Sequence, residues 1–415
     1  MTSEVLIMNR QSVALAADSA VTTRSSSSQL VTMEAEKLFQ IGETIALMVY
    51  NRGDLVGRSW GQIAEAFVAR EGLKDYPTVG AAAEAFLDFV THNPDLFPAS
   101  EVEMEFQSMC AYMFHIILEH ARYTMADGNT EMRDIGEAID TALDVYLRHL
   151  STLNDGSPRG VIASFAELDE EGFADAYGRF VETAIQGMFK GHDLSPLTLL
   201  KLKRYIYLCV TRSTFIEPFA GMVFAGFGAN DTFPTSAVHY SSFLLPGGKF
   251  KRLAGGETTI SAMNGPRGIV QTFAQADMTH TFIRGIHPDL FDQVADLAYI
   301  AAEEAASRAL TEAGVDDNTR ARVMERMHDQ HLPQIADEYE RYIAMISQSQ
   351  FVDPVLNVVE AAGKKQLAEM AKVMVELNVI KTELHQKQTG VGGHIDTAMI
   401  TRKHGFEWFA NKNES

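Results

Sequence analysis

Cysteine is nearly missing from these 415 residues. The two thiols, Cys110 and Cys209, lie in apolar helical surroundings; they exclude a disulfide framework and read as small core residues of a reducing compartment. Positive charge is also in short supply: 35 Lys and Arg against 55 Asp and Glu leave a formal charge of -20 and a pI near 5.1. A surface of that sign repels phosphate-rich ligands, so neither nucleic acid nor a membrane is an expected partner. The densest basic stretch, KLKRY at Lys201 to Tyr205, is short and reads as a solvated helix face. Apolar runs long enough to span a bilayer are missing, as is a signal-peptide pattern, and a cytoplasmic protein is expected. There is no P-loop, no G-x-G-x-x-G entering a helix, no H-E-x-x-H and no Cys/His zinc spacing, so no cofactor and no metal is implied. His328, Asp329 and His331, and the pair His280 and His287, read as structural or solvated side chains.

What is present is segregated by type. Residues 4–18 give two short strands, EVLIM and VALAAD, around the polar turn NRQS. A Ser/Thr-rich stretch follows, and then KLFQI and TIALMVY form a second hairpin about Gly42 and Glu43. From about Val56 to Pro218 the period turns helical, with Ile135, Ile139, Leu143, Leu147 and Leu150 on one stripe and Phe173, Tyr177, Phe180, Ala184 and Met188 on another. Strand patterns return in GMVFAGFG, PTSAVHYSSFLL and GETTISAM. A helical stretch is expected from Pro288 to Gln348, broken at Pro333, and another from Pro354 to Gln388 with Leu367, Met370, Met374 and Leu377 on its stripe. The segment FAQADMTHTFIRGI has buried-helix character, with Gln275 near its start. A hairpin turned at Lys403 to Gly405 closes the chain. Runs of strands and runs of helices, rather than their alternation, predict α+β layers with antiparallel sheets.

Three polar residues stand where strand patterning expects apolar ones or a turn: Thr2, Asp18 and Lys37. No leader precedes the first strand, so Thr2 is expected at the physical start of the fold. Removal of Met1 would leave a hydroxyl and a free α-amino group on one residue, a nucleophile with its own base. A lysine nearby would lower the pKa of that amine and stabilise a developing alkoxide, and a carboxylate would orient the lysine.

The stretch from Thr2 to Asp18, followed by ADSAVTT and EKLFQIGETIALMVYNRGD, resembles the start of proteasome β-type subunits and their bacterial relatives, members of the N-terminal nucleophile (Ntn) hydrolases. There a nucleophilic Thr is followed sixteen residues later by Asp at a strand end, then by Lys at the start of the next strand; Thr2 and Asp18 reproduce the first interval. MVFAGFGANDTFPTSAVHY is similar to the family's central hairpin, and TGVGGHIDTAMITRKHGF to its closing one. The resemblance implies a four-layer αββα sandwich over residues 1–54 and 218–415, with 55–217 as a large helical insertion. It implies Thr2 as nucleophile, Lys37 as the cation, Asp18 as its orienter, and a backbone oxyanion donor near Asn51 or at Gly53. It implies cleavage of an amide bond in a peptide or protein substrate, a homo-oligomer whose assembly the insertion alters, and an ATPase partner such as some relatives use. Ala20 stands where the family has arginine, and Gln388 and Val391 where it has a supporting Asp and Ser. These departures favour a non-catalytic assembly or binding module as the alternative; a small-amide acylase is a third reading.

Overall fold

The computed structural model describes residues 2–24, 29–32, 35–126, 134–152, 160–261, 263, 265–384 and 392–411. The chain enters through β1 (Ser3–Asn9) and turns into β2 (Ser12–Asp18). That turn holds because the Asn9 side-chain oxygen accepts the N–H groups of Gln11 (3.0 Å) and Ser12 (3.1 Å). A hairpin of β3 (Val21–Arg24) and β4 (Gln29–Thr32) follows, and then one of β5 (Leu38–Gln40) and β6 (Ile45–Asn51). After β7 (Asp54–Leu55) and β8 (Arg58–Ser59) come α1 (Trp60–Glu71), α2 (Val79–Thr91), α3 (Ala99–Ala126), α4 (Ile135–Thr152), α5 (Glu170–Met188) and α6 (Pro196–Thr211). Four of their starts are legible as caps: Ser59, Thr78, Asp169 and Ser195 each accept a first-turn N–H through a side-chain oxygen. Strands resume with β9 (Ala220–Gly226), β10 (Thr235–Leu245), β11 (Lys249–Thr259) and β12 (Gly268–Ala274). Then α7 (Asp277–Arg284), α8 (Pro288–Glu312), α9 (Asp317–Arg326), α10 (Leu332–Ser347), α11 (Asp353–Ala361) and α12 (Lys364–Leu384) lead to a last hairpin, β13 (Ile395–Thr401) and β14 (Gly405–Ala410). The class is mixed α and β with antiparallel sheets, compatible with the α+β expectation. Among the described residues no helix is long and apolar enough to cross a membrane.

Contacts divide the chain into two units, Met1–Ala35 with Thr259–Ser415, and Glu36–Thr258. The first contains a five-stranded sheet in the order β12-β1-β2-β13-β14. On one face Val5, Ile7, Ala14 and Ala16 pack against Val359 of α11 and Leu367, Ala371, Met374 and Val375 of α12. The opposite face, with Leu6, Met8, Val13 and Leu15, is equally buried. Pairing is antiparallel throughout, with Ser3 opposite Ala274, Glu4 opposite Ala17 and Asp18 opposite Ile395. This register gathers the start of β1, the end of β2, the end of β12 and the start of β13 at one end of the sheet.

The second unit contains the sheet β11-β10-β9-β6-β5. Leu47, Val49, Met222 and Phe224 of this sheet meet Phe67 of α1 and Phe86 and Phe89 of α2 in one core. Gly221 lies opposite Tyr50, whose ring occupies the place of a Cβ, 2.0 Å from where one would stand. Helices α3 to α6 form a separate core around Phe106, Phe114, Ile139, Leu143, Phe165 and Tyr205, which includes Phe243 and Leu245 of β10. The two predicted stripes of α4 and α5 face into it. The residues expected as the helical insertion, 55–217, all fall within this unit.

Several local expectations are corrected. GETTISAM is not a strand of its own: β11 starts at Lys249 and runs through Gly255 and Gly256, with Tyr240 of β10 lying 2.6 Å from where a Gly255 Cβ would stand and covering the gap. FAQADMTHTFIRGI joins the end of an edge strand, β12, to α7, where only Thr279 and Ile283 are buried. Pro333 breaks nothing. It follows a π-turn at Met327–His331 within an unbroken helical path, and that wider turn accommodates the ring and the missing N–H; the break falls earlier, at Gly314, with φ of 68°. The helix expected from Pro354 is interrupted after Ala361, where the Asn9 amide donates to the carbonyls of Val359 and Ala362, both at 2.9 Å. The buried stripe of α12 is Leu367, Ala371, Met374 and Asn378, rotated from the predicted one.

Candidate active site

Thr2 precedes β1 at the gathered end of the first unit's sheet and is 4% exposed. Its Oγ1 donates to Asp18 Oδ1 at 2.8 Å. Asp18, 1% exposed, also accepts the Ser3 N–H on Oδ1 at 3.0 Å and the Gly392 N–H on Oδ2 at 2.9 Å. Gly392 has φ of 151°, a conformation open to glycine and strained for other residues, and it aims its N–H at the carboxylate. The donors on this buried carboxylate thus include the hydroxyl that the sequence singles out. Bonds of this charge-assisted kind are about twice as strong as neutral ones and fix the hydroxyl rotor.

The backbone of Thr2 is held from the other side. Its carbonyl accepts the Gln275 N–H at 2.9 Å. Ala274, the last residue of β12, has φ of 58°, a left-handed conformation that costs a residue with a Cβ about 1–2 kcal/mol. The turn it makes carries the chain out of β12 at Gln275 and on into α7.

Ser3, fully buried, accepts on its hydroxyl from Asn378 Nδ2 at 2.9 Å. Asn378 also donates to Thr279 Oγ1 at 2.9 Å and accepts the Met278 N–H at 3.2 Å. One turn further along α12, Lys381 pairs with Asp277. Burial works to raise the Asp277 carboxyl, but the Lys381 ammonium and the N–H groups of Asp277 and Met278 outweigh it and hold it below its ordinary value.

The remaining predicted residues belong to the second unit. Lys37, just before β5, is 6% exposed, and its carbonyl accepts the Val49 N–H at 2.9 Å. Asn51 ends β6 with φ of 66°, so the chain does turn where the resemblance requires a turn. The turn is braced by Arg52, which pairs with Glu105 at 2.6 Å, and by Trp60, whose indole N–H donates to the Arg52 carbonyl at 2.9 Å. Gly53 accepts the Trp60 backbone N–H on its carbonyl at 3.3 Å, and its own N–H meets no acceptor among the described residues. Gln388 and Val391 lie outside the described residues.

Thr2 and Asp18 are thus joined directly. The sequence reading missed Asn378 and Gly392 as parts of this end of the sheet. The available signal for Asn378 was a lone amide on an apolar helical stripe.

Other polar candidates have structural occupations. His280 bonds Thr272 at 3.0 Å, His287 caps α8 and His328 bonds Tyr299 at 2.6 Å. Burial first, then Arg284, holds the His280 imidazole below its ordinary value. Burial pushes the thiols of Cys110 and Cys209 up, leaving both as neutral core groups. Among the described residues no group of three or more His, Cys, Asp and Glu side chains is placed to hold a metal.

No protein-family model matches the chain, and a search of curated proteins finds no match.

Proposed function

We propose that the chain is an N-terminal threonine amidohydrolase, a proteasome-like peptidase that uses Thr2 as nucleophile once Met1 is removed. The observation that carries this reading is the 2.8 Å hydrogen bond from Thr2 Oγ1 to the buried Asp18 carboxylate. A hydroxyl held by a carboxylate beside a potential α-amine is arranged for attack on a carbonyl carbon. The free amine takes the hydroxyl proton as Oγ1 adds to the amide. The tetrahedral intermediate collapses, the C–N bond breaks, and the ammonium returns the proton to the leaving amine. Water then adds to the Thr2 ester with the amine as base, releasing the acid and restoring the hydroxyl.

The resemblance assigns the cationic role to Lys37 and the oxyanion donor to Asn51 or Gly53. Neither N–H is taken by β9: Arg52 N–H bonds the Phe219 carbonyl, which leaves Asn51 opposite Ala220 as a pair without hydrogen bonds, and the Gly53 N–H meets no acceptor among the described residues. The fold that goes with this reading is the αββα sandwich. It is supported by each sheet, taken by itself, packing helices on one face and burying the other.

The test is an intact-mass spectrum with N-terminal sequencing, followed by a β-lactone probe for N-terminal threonine. A chain beginning at Thr2 and acylated there is the expected result. Retention of Met1, or equal peptide hydrolysis by Thr2→Ala, rejects the reading. A panel of peptides against acylated amino acids separates the peptidase from the acylase. A second reading, a binding module on the same scaffold, is favoured by Ala20 and by the near-complete burial of Thr2. Retained Met1 would select it.

A further inference from the structure

Asn378 is 2% exposed on the apolar stripe of α12, where an amide is costly unless its donors and acceptor are met. They are met by two segments distant in the chain. Nδ2 donates to Ser3 Oγ and to Thr279 Oγ1, each at 2.9 Å, with the Met374 carbonyl of its own helix a longer third acceptor at 3.2 Å, and Oδ1 accepts the Met278 N–H at 3.2 Å. Thr279 passes its own hydroxyl proton to the Met374 carbonyl at 2.8 Å, one turn back on α12. A leucine would fill the same stripe, so the amide brings specificity of placement rather than bulk.

We infer that Asn378 is a positioning residue for Thr2: it ties the residue after the candidate nucleophile to the first turn of α7, and so holds both supports of the Thr2 backbone in register. One support is Ser3, whose N–H is on Asp18 at 3.0 Å and whose hydroxyl is on Asn378. The other is Gln275, whose N–H is on the Thr2 carbonyl at 2.9 Å. Gln275 stands between the left-handed Ala274 and the first turn of α7, the turn that Asn378 holds through Met278 and Thr279. Lys381, on the same side of α12, takes a second hold on that turn at Asp277. Without the amide, Ser3 loses its donor and the α7 turn loses two bonds. Thr2 Oγ1 then no longer stays in one place against Asp18.

The kinetic half of this inference rests on the proposed role of Thr2. The test compares the Met1-free full-length chain with Asn378→Ala, with Ser3→Ala, which removes only the small acceptor, and with the double variant. The β-lactone is the probe, and the maximal acylation rate constant is read apart from the half-saturating concentration. Loss of alignment is expected to lower the rate constant about ten-fold in each single variant. The half-saturating concentration should be unchanged and the double variant no slower than either single one. A rate constant unchanged in both single variants overturns the inference, as do losses that multiply in the double variant. A fall in labelled fraction at a constant rate also overturns it, because that is what a purely structural residue would cause.

If the wild-type chain begins at Thr2 and is not acylated, the reading of Thr2 fails, and amide hydrogen exchange decides the placement. Faster exchange at the Ser3 and Gln275 N–H groups in Asn378→Ala supports the positioning role. Unchanged exchange there overturns it.

Discussion

Asp18 and Lys251 are both buried ionisable side chains held by hydrogen bonds within their own unit, but they are built for different ends. Lys251, wholly buried on β11, gives its three hydrogens to the Cys209 carbonyl (2.5 Å), the Thr214 carbonyl (2.7 Å) and Glu217 Oε1 (2.6 Å). The first acceptor is in the last turn of α6, where carbonyls lack helical partners and cations are favoured. The ammonium also lies 4.8 Å from the centre of the Phe215 ring. Every partner of Lys251 here is inert, and the cluster fastens the end of the helical region to the sheet of the same unit. Asp18 instead collects donors, among them two backbone N–H groups and a hydroxyl. Burial and satisfied hydrogen bonding do not by themselves distinguish a staple from a site. The chemistry of the partner does.

That contrast gives the two largest expected effects. Thr2→Ala should lower amide hydrolysis on the order of 10⁶-fold, the scale for losing a nucleophile while its base, the α-amine, remains. It should cost about 1 kcal/mol of stability, since Asp18 keeps the N–H donors of Ser3 and Gly392. Steady-state rates and thermal unfolding of the same samples check both halves. Lys251→Met should do the reverse. It leaves Glu217 buried without its cation and costs about 3–5 kcal/mol, with the rate per folded molecule unchanged. Adding Glu217→Leu should restore most of that loss. A Lys251 variant that unfolds at the wild-type temperature would remove the basis for calling the cluster a staple.

A smaller effect separates strain from support. Ala274→Gly relieves the left-handed backbone at the end of β12 and should raise stability by about 1 kcal/mol or less, because glycine gives back part of the gain as unfolded-chain entropy. If the turn at Ala274 serves to place Gln275, hydrolysis should fall while the melting temperature rises.

The hairpin of β1 and β2 could be read in advance because its signals are local. Asn9 and Ser12 flank a polar turn, and antiparallel pairing from that turn brings residues sixteen apart, Thr2 and Asp18, to the same strand end. The stripes of α4 and α5 were legible for the same reason. Asn378 was not, since its partners are 375 and 99 residues away and nothing in MAKVMVELNVIK reveals them. Strand β11 was hidden by Gly255 and Gly256; the gap at Gly255 is covered by a ring on the neighbouring strand. Pro333 misled because a π-turn just before it, at Met327–His331, absorbs the proline without ending the helical path, and nothing local in the sequence announces that turn.

The smallest effect concerns Asp277 and Lys381, a half-buried pair against the fully buried Lys251 and Glu217. The Asp277 carboxyl is held below its ordinary 3.8, by the Lys381 ammonium and N–H groups acting against burial. A depressed folded-state value means that the unfolded chain binds the proton more readily. The contribution of Asp277 to stability is therefore present above 3.8 and is lost as pH falls through the folded value. Asp277→Asn should lower the melting temperature slightly at neutral pH and remove part of its decline below 3.8. Added salt should imitate the neutral-pH effect in the wild type, because the Asp277 side chain is 38% exposed and screening reaches it. Salt should leave the Lys251 cluster, with both side chains 0% exposed, unaltered. An acid limb identical in Asp277→Asn and wild type would mean that the Asp277–Lys381 pair adds nothing to the hold of α12 on α7.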